Sequence, residues 1–68
     1  MTRSEIVQSL AANIGKQVRV AFSDGELFAV SIVNIDDEGF VHKMVDADDA
    51  QFYWTRFEDV ITVQPELN

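Results

Sequence analysis

The sequence predicts an all-β domain with one N-terminal helix, folded as a small, strongly bent five-stranded barrel. Three observations lead there. Apolar residues alternate through Val18-Val20-Phe22, and the run Leu27 to Ile35 carries apolar residues on both parities, as half-buried and doubly packed strands do. Asp24-Gly25 stands between the two runs, and that pair is among the strongest short hairpin signals. Three shorter runs follow, rich in β-branched and aromatic residues, after an opening stretch with helical spacing.

The helix is expected over Thr2 to Asn13, or residues 2–14 with its exit. Thr2-Arg3-Ser4-Glu5 fits a capping box, in which the Thr2 hydroxyl and the Glu5 carboxylate satisfy each other's backbone N–H groups. Ile6, Val7, Leu10, Ala11 and Ile14 recur at three-and-four spacing and make one apolar stripe. Asn13 and Gly15 supply a stop. A core this small needs covering, so the helix is expected to lid the barrel, with a partner-binding helix as the alternative.

The first strand is expected over Gln17 to Ser23, with Val18, Val20 and Phe22 inward and Arg19 and Ala21 outward. Gly25 lets the chain reverse, because a tight turn asks for positive φ. The second strand, Leu27 to Ile35, is apolar on both parities, which in a small barrel means a bend. Ser31 or Val33-Asn34 is where a bulge would change the parity. Asp36-Asp37-Glu38-Gly39 turns the chain into a third strand, Phe40 to Asp46, and Ala47-Asp48-Asp49-Ala50 turns it again. Gln51 to Arg56 is the fourth strand, Phe57-Glu58-Asp59 a single 3₁₀ turn, and Val60 to Gln64 the fifth strand. Pro65 lacks a donor and ends the ladder. Together these describe a barrel of the SH3-like type; an oligonucleotide-binding barrel is the alternative, and would want longer strands.

Sixty-eight residues predict one domain, burying roughly 60 % of its surface and so marginally stable without help. There is no cysteine, which excludes disulfides and thiolate metal sites and leaves self-association as the available helper. No apolar run approaches the roughly 20 residues of a membrane span, and no signal-like apolar core opens the chain. A cytoplasmic protein without membrane contact is the expectation. Twelve acidic against five basic residues give a net charge of -7, which repels phosphate backbones and disfavours RNA. The basic residues Arg3, Lys16, Arg19, Lys43 and Arg56 are scattered singly and form no stripe.

Ile14-Gly15-Lys16-Gln17-Val18, Val20, Phe22, Asp24-Gly25, Ile32 and Ile35-Asp36 resemble, at matching spacing, the first motif of the Sm and Sm-like family. The resemblance covers about half the chain. It implies an N-terminal helix on a five-stranded bent sheet. It also implies a homo-oligomeric ring, in which the fourth strand of one subunit pairs with the fifth of the next. The family's RNA-contacting positions are poorly matched. The loop keeps Asp36 but has no asparagine, Val30 stands where glycine is usual, and Thr55-Arg56-Phe57-Glu58-Asp59 replaces an Arg-Gly pair. Asp36, Lys43 and Arg56 are therefore the candidate RNA contacts, with Arg19 able to join them in a ring. The layout also resembles acidic Sm-like proteins of the Rho-inhibitor (Rof) kind, which implies an acidic surface docking on a protein.

The chemistry-bearing residues predict no enzyme and no cofactor. His42 is the only histidine, on the parity of Phe40 and Met44, so a packed imidazole is expected rather than a triad or histidine metal cluster. Asp46, Asp48 and Asp49 lack the glycine and closing glutamate of a calcium loop and read as a solvated turn, as does Asp36-Asp37-Glu38. No serine has a nucleophile signature, and three glycines make no phosphate loop. Phe52, Tyr53, Trp54 and Phe57 carry more information. A small core can absorb one side of this set, and the other should meet a subunit or partner. Phe52, Tyr53, Trp54, Ile61 and Val63 are thus the candidate contacts, with an unidentified protein as the favoured partner and RNA possible.

Overall fold

A computed structural model describes residues 1–45 and 51–65. The turn expected over Ala47 to Ala50, the third strand's expected end at Asp46, the Asp46/Asp48/Asp49 reading and the tail after Pro65 lie outside the described residues.

The capping box forms as its sequence requires: the Glu5 N–H donates to Thr2 Oγ1 at 3.2 Å, and the Thr2 N–H donates to Glu5 Oε1 at 2.9 Å. Helix α1, Arg3–Ala11, starts there and is shorter than the expected stretch. The Asn13 side-chain amide donates to the Ser9 carbonyl at 2.6 Å, satisfying one of the last carbonyls, and Gly15 then turns with φ +83°. Ile6 and Leu10 are buried, but Ile14 leaves the stripe. It is exposed and pairs with Ile32 in an isolated parallel bridge, which ties the helix exit to the sheet.

Five antiparallel strands follow: β1 Gln17–Phe22, β2 Leu27–Ile35, β3 Gly39–Met44, β4 Tyr53–Arg56 and β5 Val60–Pro65. They form one sheet in the order β4-β3-β2-β1-β5. The hairpin turns at Gly25 with φ +88°. The 3₁₀ turn Phe57–Asp59 connects β4 to β5, so the sheet's two outermost strands are consecutive in the chain. Pro65 closes β5 opposite Val18.

The bend in β2 comes from one extra residue. Ile32 pairs with His42, but the next pair is Asn34 with Val41, so Val33 is bulged. Before the bulge Val30 and Ile32 face the core, and after it Ile35 does, which explains why both parities of this strand are apolar. A second extra residue, Ile61, lies in β5 between the pairs Ala21–Thr62 and Phe22–Val60.

The core gathers Ile6 and Leu10 from the helix with Val18, Val20, Val30, Ile32, Phe40, Phe57, Val60 and Val63. One expectation changes here. Ala21, expected outward, is buried, because its methyl is flanked by Leu27 on one neighbouring strand and Thr62 on the other. Phe57 is also buried, stacked on Phe40 with ring centroids 6.3 Å apart. The helix lids this core against β5, β2 and the 3₁₀ turn. Truncating Leu10→Ala should cost about 2–5 kcal/mol, read as a lower urea midpoint; a loss below about 1 kcal/mol would show the helix to be dispensable.

Candidate interaction surface

The turn between β2 and β3 is organised by one carboxylate. Asp36 Oδ1 accepts from the Glu38 and Gly39 N–H groups, both at 2.8 Å, and the Asp36 N–H donates to the Gly39 carbonyl at 2.9 Å. Its second oxygen, Oδ2, accepts from the Trp54 indole N–H at 2.9 Å. These bonds, the Glu38 N–H first, then Trp54 and Gly39, hold the carboxyl below its usual range.

Trp54 is therefore exposed and fixed at once. Its ring lies on Gly39, where an added Cβ would come within 2.7 and 2.8 Å of indole carbons and collide with the Thr55 carbonyl. About half of the residue, 48 %, remains open to solvent. Phe52, two residues earlier, is 62 % exposed, and Lys43 Nζ stands 5.3 Å from its ring centroid. Val41 faces Trp54 across the ladder.

The inner side of β4 is held by His42. The imidazole is almost fully buried and packs against Phe40, Phe22 and Tyr53, with centroids 4.9, 5.6 and 6.0 Å away. Nε2 and Thr55 Oγ1 share a hydrogen bond of 3.0 Å, while Nδ1 has no partner among the described residues. Burial pushes the His42 pKa down. The expectation of a packed imidazole describes it.

The expected contact residues divide. Phe52, Tyr53, Trp54 and Ile61 all expose part of their side chains, whereas Val63 is buried in the core and offers only backbone to the outside. Met1 lies along that edge: its Sδ accepts from the Val63 N–H and the Thr62 hydroxyl, each at 3.1 Å, and its amine donates to the Ile61 carbonyl at 3.4 Å. The expected RNA contacts do not converge as free groups. Asp36 is engaged through both oxygens, Arg56 pairs with Asp59 at 3.6 Å, and Lys43 leans on Phe52. Arg3 joins the helix to this end of the barrel, donating to Glu58 Oε1 at 3.3 Å and the Asp37 carbonyl at 3.1 Å while covering the Phe57 ring.

Asp36-x-x-Gly39 carries the signature of such a side-chain-braced turn. The bond to Trp54, 18 residues on, and the Met1 contact have no local signal. Among the described residues, no three His, Asp or Glu side chains come together as a metal set, and no helix is long and apolar enough to cross a membrane.

Scans against protein-family models, curated proteins and solved structures return no match.

Two outcomes are expected. Gly39→Ala should cost about 1–3 kcal/mol by overpacking and shift the tryptophan emission as the indole leaves its seat; an unchanged melt and spectrum would show that the seat is loose. Because the His42 pKa is lowered in the fold from 6.5, the unfolded chain binds the extra proton first. Stability should thus be full above pH 6.5 and fall as the pH drops below it toward the lowered value. The carboxylates of Glu5, Glu58 and Asp36, lowered from 4.5, 4.5 and 3.8, contribute only in a separate, more acid limb. His42→Phe should lose the upper limb and keep the lower one in denaturation measured across pH.

Proposed function

We propose that this chain is a non-enzymatic interaction module, a small barrel of the Sm-like kind acting in the cytoplasm, which self-associates through its sheet edges and binds another macromolecule, a protein before an RNA. The observation that carries the reading is where the exposed aromatics fall. Tyr53 and Trp54 sit on β4, one outer strand, with Phe52 just before it, and Ile61 sits on β5, the other. An outer strand offers unpaired N–H and C=O groups, and pairing β4 of one copy with β5 of the next would bury two such rows with these side chains along the seam. Val63 contributes its backbone there. The first motif's resemblance to Sm-like proteins supports the same assembly.

A second reading has its own support. Met1 already occupies the Ile61 carbonyl and the Val63 N–H of β5, so an incoming strand must displace it. A chain whose edge stays covered would work as a monomeric acidic regulator, blocking a basic surface on a nucleic-acid-handling protein with its charge of -7. RNA binding has least support, since Asp36, Lys43 and Arg56 are each engaged within the chain.

The test is the solution mass by light scattering, with Ile61→Asp as the variant. Ile61 is exposed and bulged, so a charge there should leave the core intact. Self-association predicts a discrete assembly, about five to seven copies if the ring closes as the resemblance implies, falling to folded monomers in the variant. A monomeric parent chain would retire the assembly and leave the regulator.

A further inference from the structure

We propose that the outer face of β3 and β4, centred on Trp54 and Phe52, docks an arginine-bearing basic segment of a protein partner, with a guanidinium laid on the Trp54 indole beside the carboxylates of the Asp36–Glu38 turn. The inference rests on the reading that this chain binds a protein, and it names the chemistry of that partner.

Three features of the face carry it. Trp54 is a platform prepared before binding: its N–H is held by Asp36 and its ring rests on Gly39, so a ligand need not order it. Phe52, just before β4, is exposed beside Lys43, two residues along β3 from Val41, and Val41 lies across from Trp54. The face already takes a cation, for Lys43 Nζ stands 5.3 Å from the Phe52 ring centroid.

Charge selects the occupant. Asp36 is committed to the turn and the indole, but Asp37 and Glu38 beside it are exposed. Arg56, opposite Gly39, and Arg3, on the Asp37 carbonyl, lie at this same end of β4 and pair with Asp59 and Glu58; even with Lys43 counted, the carboxylates of Asp36, Asp37, Glu38, Glu58 and Asp59 outnumber the cations around Trp54. A nucleic-acid backbone is negative and is repelled from this face, whereas a basic segment is attracted; a second copy, also at -7, meets the same repulsion and has to rely on the strand edges instead. Arginine suits the site better than lysine, because its flat guanidinium can stack on indole while donating sideways to carboxylates.

Trp54 is the only tryptophan, so its fluorescence reads the site directly. The probe is a short peptide of alternating arginine and glycine, titrated into the full chain beside a glutamate–glycine peptide and an oligouridylate. The arginine peptide alone should give a saturable change. Phe52→Ser, which removes an exposed ring and no charge, should weaken it about tenfold, as should Glu38→Lys. Circular dichroism melts establish that both variants fold. Absence of a saturable change overturns the proposal, as does saturation by the oligouridylate. Phe52→Ser binding as tightly as the parent also overturns it, since the peptide would then be held by overall charge. Light scattering on the same samples separates this inference from self-association: an assembly indifferent to the peptide overturns docking and keeps assembly, and a monomer that binds it does the reverse.

Discussion

The bend at Val33 is the constraint on which the rest of the molecule depends. A flat sheet of five short strands has no inside. β2 pairs with β1 through Leu27 to Ser31 and with β3 through Val30 to Ile35, and the extra residue at Val33 lets the strand face the core through different parities before and after it. β5 and β4 then lie beyond β1 and β3, and the sheet wraps around one set of side chains. The helix covers them by adding Ile6 and Leu10. Each such burial contributes about 1.5–3 kcal/mol, so a small barrel has few to lose.

What the bend makes possible, β4 must complete, and β4 has only four residues paired with β3. Backbone pairing alone would leave so short an outer strand prone to fray. Side chains hold it on both faces: Thr55 to His42 inside, Trp54 to Asp36 outside. Phe57, immediately after it, anchors the following turn in the core beside Phe40, and its N–H donates to the Glu38 carbonyl at 3.0 Å. The functional consequence is that Trp54 belongs to a braced strand, with Phe52 just before it. An aromatic ring held in place before binding binds at lower entropic cost than a mobile one.

Much of this was legible in the sequence where the signal is local. The capping box at Thr2 and Glu5, the turn at Gly25, the extent of β2 and the 3₁₀ turn over Phe57–Asp59 all follow from spacing within a few residues. Parity narrows the bulge to Ser31 or Val33-Asn34, and pairing selects Val33. The rest depends on contacts between distant positions. Ile14 fits the helical stripe by spacing, yet the helix ends before it and Ile32 takes it up. Phe57 belongs to an aromatic set of which the core can take one side, and the turn after β4 puts it there. Val63 reads as an outer-strand contact, and the alternation of β5 directs its side chain inward. That Trp54 reaches Asp36 could not be read from either residue's neighbours, although that contact shapes the candidate surface.

The two interactions proposed for this barrel differ in their physics, and salt separates them. Copies that share a charge of -7 repel one another through water, so association along the strand edges proceeds against electrostatics and relies on main-chain hydrogen bonds and apolar contact. Added salt screens that repulsion, with a Debye length of about 8 Å at physiological strength, and strengthens the assembly. Docking of a basic segment on the Trp54 face draws on the same charge as attraction, and added salt weakens it. Low salt thus favours partner-bound single copies and high salt favours assemblies free of partner. Met1 on the β5 edge acts in the same direction as low salt, since it covers the groups that a second copy would need while leaving Trp54 open. Opposite salt dependences in one small protein would mean that binding a partner and binding itself are alternative uses of the chain rather than successive steps.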